Sequence, residues 1–356
     1  MSGHPGYAGG VGPADEHAAY AERAVLDRHL RRVWALPGTA LGVSTWPAGG
    51  SHRSFLRWDY WWQAHLLDAL VDAQLRAPSE PRRTTIAALV RGHRVRNLGR
   101  WTNDYHDDMA WLGLALLRAA GVGVVRRRAV AVLARTLRDA ADDSPGVALP
   151  WRRGDTVRNV PANGTAGLLL ARLGDVVRAE AVADWIDSEL LDAGSGLVLD
   201  GVRDGQPPDR AVYTYCQGIV LGLETELAVR TGGPRHAARV ARLVAAVAEH
   251  LSPGGVLQGC GTGDGGLFAG ITARYLAVVA VHLPGRDAPT RQARELARQL
   301  VRASALAAWA HRASEPAQGR FGVEWSLPAT QAPADLSVQL SAWTLLEADA
   351  DLCRRR

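Results

Sequence analysis

The chain has 356 residues, 47% hydrophobic and 22% charged, a balance that suits a packed globular core and excludes extended disorder. Its net charge is a modest +5, and every one of its 41 basic residues is arginine. Basic clusters at 126–128 and 354–356 lack the interleaved aromatics of a nucleic-acid footprint, so they read as a solvated helix face and a tail.

Along the chain, apolar residues recur at i, i+3, i+4 and i+7, broken by Gly, Pro, Asn and Asp clusters. The pattern predicts helices over 14–36, 59–76, 82–96, 104–120, 123–141, 162–174, 176–193, 212–231, 234–251, 267–283, 287–313 and 335–352. Residues 1–13 are expected to be a flexible lead, and 14–356 one domain. No sustained alternation predicts a sheet of any size.

The helices differ in kind. Those at 59–76, 104–120, 162–174, 212–231, 267–283 and 335–352 are apolar over most of their circumference. Those at 14–36, 123–141, 176–193, 234–251 and 287–313 carry a charged face. A helix apolar all round is buried and an amphipathic one covers it. Alternation of the two kinds predicts an all-α fold, an (α/α)6 barrel of six helical hairpins.

In such a barrel the loops before the even-numbered helices share one end. They hold Ser51 to Phe55 with Trp58 and Tyr60, then Trp101 to His106, Trp151 to Asn163, Asp200 to Tyr215, Gly259 to Phe268 and Phe321 to Gln339. Aromatic rings for sugar faces and amides, acids and arginines for hydroxyls describe a carbohydrate site. The 12 Trp against 3 Phe point the same way. Asp107 and Asp108 adjoin at a predicted helix start, where two acids serve either as caps or as the carboxyl pair of a glycosidase.

The stretch Tyr105-His106-Asp107-Asp108-Met109-Ala110-Trp111 resembles the Asp-Asp signature of glycoside hydrolase family 76, the endo-α-1,6-mannanases. The resemblance continues in order through Tyr60 to Leu70, Arg158 to Asn163, Asp200-Gly201, Val212 to Gly218, Gly265 to Phe268, Arg274-Tyr275-Leu276, Trp325-Ser326 and Gln339. It implies an (α/α)6 barrel that cleaves internal α-1,6-mannosidic bonds with retention. It makes Asp107 the nucleophile and Asp108 the general acid/base. It also implies sugar contacts from Trp62, Gln63, Tyr105, Asn159, Asn163, Asp200, Tyr213, Tyr215, Gln217, Phe268, Arg274 and Trp325. The partner implied is α-1,6-mannan, or the mannan core of a lipomannan or lipoarabinomannan. The chain departs from the family at Cys216, where Asn is common, and at Ala269, where Lys is common.

Other signals point elsewhere less well. The run Gly259 to Gly266 lacks the Lys-Ser/Thr of a phosphate loop, and Trp111 stands where a diphosphate-binding DDxxD helix needs an acid. The 11 His show no HExxH, so no metal or other cofactor is expected. Asn163-Gly164-Thr165 fits a glycosylation sequon but carries no weight if the chain is, as expected, bacterial and not secreted. The odd three cysteines form no framework and are expected to be free thiols. Met1 to Asp15 is polar and Gly-rich, with no secretory pattern, and no run approaches a membrane span. A cytoplasmic location is therefore expected, in tension with a mannan outside the membrane. The Ala, Gly and Arg richness fits actinobacterial coding. A catalytically silent, glycan-binding toroid is the alternative to the mannanase.

Overall fold

Alternating buried and covering helices build the chain. The computed structural model describes residues 12–124, 127–142, 148–313, 319–330 and 334–355. In chain order its helices are α1 (Pro13–His29), α2 (Gly50–Arg53), α3 (Tyr60–Arg76), α4 (Glu80–Arg96), α5 (His106–Gly121), α6 (Arg128–Asp142) and α7 (Val160–Arg172). They continue with α8 (Val176–Glu189), α9 (Thr214–Thr231), α10 (Pro234–His250), α11 (Phe268–His282), α12 (Ala288–Ala310) and α13 (Leu336–Arg354). Helices α3, α5, α7, α9, α11 and α13 each pack on the next, and α13 returns to pack on α3. Outside this closed ring, α4, α6, α8, α10 and α12 cover the inner helix just before them, and α1 covers α13.

The sequence accounts for the two layers. In α7, every residue from Val160 to Ala171 is buried, because neighbours surround it on all sides. In α10 one side is buried, from His236 and Ala237 through Val240, Leu243 and Val244 to Ala246 and Val247, while Arg235 and Arg242 pair with acids of α8. Gly263–His282 has the length and apolarity of a membrane span, which the sequence reading did not register; it is apolar because α11 sits between α9 and α13.

Four of the six inner helices share one device. Gln63, Asn163, Gln217 and Gln339 each stand at the fourth residue of their helix and are buried. Gln63 Oε1 accepts from Gly42 N (2.8 Å) and its Nε2 donates to Gly42 O (2.9 Å). Asn163 grips Leu149 N and O in the same way (2.7 and 2.9 Å), Gln217 grips Val198 (2.8 and 2.8 Å), and Gln339 grips Phe321 (3.0 and 2.9 Å). The backbone groups gripped here are left without a partner by any neighbouring strand, so a side-chain amide serves as one.

Some boundaries differ from expectation. The helix expected over 14–36 ends at His29. Residues 30–31 leave it to pair as β1 (Leu30–Arg31) with β2 (Leu41–Gly42), and Trp34 and Ala35 take positive φ. Two more short antiparallel pairs exist, β3 (Thr45–Trp46) with β6 (Ala334–Asp335) and β4 (Val157–Asn159) with β5 (Gly201–Arg203). Residues 1–11 of the expected flexible lead, Arg126 and Arg356 lie outside the described residues.

Candidate active site

The N-terminal ends of the inner helices converge on one mouth of the ring. Tyr105 is the N-cap residue of α5, and His106, Asp107 and Asp108 form its first turn. The loop before α7 folds back on them. Trp151 O accepts from His106 N (2.9 Å), Pro150 O engages His106 Nδ1 (2.7 Å), and Arg153 N donates to Asp104 O (2.8 Å). This brings the Trp151 indole N–H to 3.0 Å from Asp107 Oδ2, while Asp108 N donates to Asp107 Oδ1 (2.8 Å). On the other side Asn103 Nδ2 donates to Asp108 Oδ2 (2.6 Å), and Asn103 Oδ1 accepts from Tyr105 N (3.0 Å).

The two carboxyls keep partial solvent access but are densely surrounded. Burial, with a smaller contribution from the charge of Asp200, raises Asp107 to about 6 against the two donors that favour its anion. Burial and then the charge of Asp107 raise Asp108 well above the ordinary carboxylate range, with Asp264 and Asp59 adding to the effect. Asp107 has two donors and the helix N-terminus to hold a negative charge, whereas Asp108 has one donor and negative neighbours. The two environments therefore favour the charge on Asp107 and the proton on Asp108.

Aromatic rings surround the pair. Tyr215 stacks on Phe268 (centroids 3.8 Å apart), and Tyr213 meets the edge of that stack at 5.5 Å. Tyr105 meets Trp151 at 5.2 Å. Trp61 and Trp62 both donate to Asp264 Oδ1 (3.0 and 2.8 Å), in the turn that leads into α11. That turn explains the glycine run. A Cβ on Gly265 would lie 1.9 Å from Cys260 O, and one on Gly266 2.5 Å from Ser337 Oγ, so close packing and not a phosphate demands glycine there.

Of the residues singled out in the sequence, Asp107, Asp108, Trp62, Tyr105, Asp200, Tyr213, Tyr215 and Phe268 come together at this mouth. Gln63, Asn163 and Gln217 do not face it, because their amides hold loop backbone. Asn159 caps α7, accepting from Ala162 N (3.2 Å). Trp325 is buried, and its carbonyl faces His311 Nδ1 (2.8 Å). Arg274 points into the ring interior, where it and Arg118 bridge Asp68 and Asp72. Despite its burial, Asp68 is held down at about 2 by these two arginines. This lattice lines a cavity of about 750 Å³ that reaches the C-terminal ends of the inner helices, opposite the Asp pair. Asn103, Trp151 and Asp264 were missed as site residues. All three lie in the loops that the sequence placed at this end of the barrel, which is the signal that could have found them.

The two departures have structural readings. Cys216 is buried and its thiol lies 3.4 Å from Asp200 Oδ1, so a donor to Asp200 remains. Ala269 is buried in the first turn of α11. Among the described residues no cluster of His, Cys, Asp or Glu has a metal-binding arrangement.

The comparisons agree with the geometry. Residues 37–351 match the model of glycosyl hydrolase family 76. No curated protein matches the chain. The GH76A α-1,6-mannanase of Salegentibacter sp. HEL1_6 is 26% identical, with a TM-score of 0.82 over 95% of this chain and 99% of that one. An inactive variant of that enzyme, with two adjacent aspartates replaced by Asn, holds α-1,6-mannotriose and aligns equally well. The Lin0763 protein of Listeria innocua, 22% identical with a TM-score of 0.83 over 96% of this chain and 98% of its own, shares the fold. The chain belongs to glycosyl hydrolase family 76 and is a glycoside hydrolase of helical toroid fold.

Proposed function

We propose that the chain is a retaining endo-α-1,6-mannanase. The observation that carries this reading is the unequal environment of two adjacent carboxyls on the first turn of α5. Asp107 is the nucleophile. Its carboxylate attacks the anomeric carbon while Asp108 gives its proton to the departing glycosidic oxygen. The glycosyl ester on Asp107 is then released by water, whose proton returns to Asp108. Tyr213 and Tyr215, the latter backed by the buried Phe268, offer stacking faces for mannose on one flank, and Trp61, with the buried Trp62 beside it, on the other.

The substrate is an α-1,6-mannan chain. The oligosaccharide bound by the Salegentibacter enzyme supports this choice. Loops from all around the ring supply the mouth, which suits a polymer entering and leaving on both sides. The mannan core of a lipomannan or lipoarabinomannan is the physiological form we favour. The test is a time course on linear α-1,6-mannan. Early mixed oligosaccharides with the initial product in the α configuration support the reading. Mannose alone from the first minutes, or an inverted product, overturns it.

A further inference from the structure

The charge of the chain is not evenly spread. Segments 28–58 and 81–103 contain eleven of the 41 arginines and none of the 36 acids, so the remaining residues carry six more acids than arginines. The two segments pack together. Ala40 N donates to Ala88 O (3.0 Å), Arg91 Nη1 to Gly38 O (2.9 Å), and Trp34 Nε1 to Ser54 O (2.8 Å). Arg96 donates to Phe55 O and Leu56 O from the end of α4.

The arginines Arg31, Arg32, Arg53, Arg57, Arg94 and Arg100 are exposed there, and none has an ion-pair partner among the described residues. Between them, large apolar side chains stand in solvent: Leu98 (79% exposed), Leu56 (75%), Trp34 (46%) and Leu36 (43%). The backbone holds them there at a cost. Among the described residues, the non-glycine residues with positive φ are Trp34, Ala35, Phe55 and Leu98, all in this corner. Such conformations are strained in bulky residues and persist only where the surroundings impose them. The corner adjoins the catalytic mouth: Tyr60 OH donates to Trp101 O, and the Tyr60 ring lies near Asp108.

We propose that this corner docks the enzyme on an anionic lipid bilayer. Unpaired arginines match a negatively charged headgroup layer, and the protruding leucines and tryptophan match its apolar boundary. A soluble polyanion would use the arginines but leave Leu56 and Leu98 without a partner. Docking would set the catalytic mouth beside the membrane, within reach of a polymer anchored there. The inference is independent of which polymer is cleaved.

The test uses the full chain and vesicles of phosphatidylcholine with about one lipid in three replaced by phosphatidylglycerol. Sedimentation should carry the protein with these vesicles and not with pure phosphatidylcholine. Raising salt from about 50 to about 500 mM should weaken binding at least tenfold. The variant R32E/R57E/R100E should lose at least tenfold in partitioning, since each basic residue contributes about fivefold at an anionic surface. The variant L56D/L98D should lose at least as much while keeping its melting temperature and its cleavage of soluble mannan. Absence of vesicle binding at low salt overturns the proposal. So does L56D/L98D binding as well as wild type, or dextran sulfate retaining the protein with the same dependence on both variants.

Discussion

The Trp151 indole N–H lies 3.0 Å from Asp107 Oδ2, joining the loop before α7 to the first turn of α5. A donor to a carboxylate stabilises the anion by about 1.5–3 kcal/mol. Trp151→Phe removes it and keeps most of the ring. The pH at which Asp107 ionises should rise, and kcat/KM measured at about pH 5 should fall roughly tenfold or more. An unchanged acid limb would show that the contact does not tune the nucleophile.

Asp107→Asn and Asp108→Asn should each cut kcat by about a thousandfold or more while leaving far-UV circular dichroism unchanged. Stability should not fall. Both carboxyls have folded pKa values above their unfolded ones, so their contribution to folding is fully present below about pH 4. It is lost as pH rises through about 6 and beyond. At neutral pH the amides should therefore melt at the same temperature as wild type or higher. A fall in melting temperature for both would assign the pair to helix capping.

The same two groups predict a bell-shaped pH profile of kcat/KM. Activity should rise with pH through about 6, as Asp107 ionises, and decline at higher pH as Asp108 loses its proton. The two limbs belong to the pair as a unit. A profile flat from about pH 4 to 7 would contradict the division of roles.

Asp264 holds two indoles with one oxygen and lies close enough to raise Asp108. Asp264→Ala should free Trp61 and Trp62, raise KM about tenfold, and shift the basic limb to lower pH, since one negative neighbour of Asp108 is gone. A KM change with no pH shift would confine Asp264 to ring positioning.

Gln217→Leu distinguishes a clamp from a sugar contact. It would leave Val198 N–H and C=O buried without partners, at about 1–3 kcal/mol each. The expected result is a melting temperature several degrees lower. A sugar contact would instead raise KM and leave the melting curve in place.

These amides mark where reading the sequence stops. The alternation of apolar and amphipathic helices revealed the ring, because burial on all sides leaves a compositional trace in each inner helix. The Asp pair alone could as well have been a helix cap, and it was legible because it stands within an ordered set of motifs along the chain. Gln63, Asn163 and Gln217 were read as hydroxyl partners. An amide bonds a sugar and a loop backbone with the same atoms, and only their shared place one turn into each helix hints at the second use. Arg274 was misplaced for a related reason. Its partners Asp68 and Asp72 lie one turn apart on α3, some 200 residues earlier, and nothing local says that the three meet inside the ring. The overlong first helix arose because Leu30 to Leu36 continues an apolar-arginine rhythm, whereas β-pairing and the turn at Trp34 redirect the chain.

The closure of α13 between α3 and α11, with α1 laid over it, has a consequence for how the molecule is made. Helix α1 is made before the whole ring yet covers its last helix, so it has no seat until more than 300 further residues have been synthesised. At about 5–20 residues per second, that delay is tens of seconds. Through this interval α3 and α1 keep apolar faces uncovered. Contacts of such long sequence separation form slowly, so the closing seam is where a nascent chain is most open to chaperones and proteases.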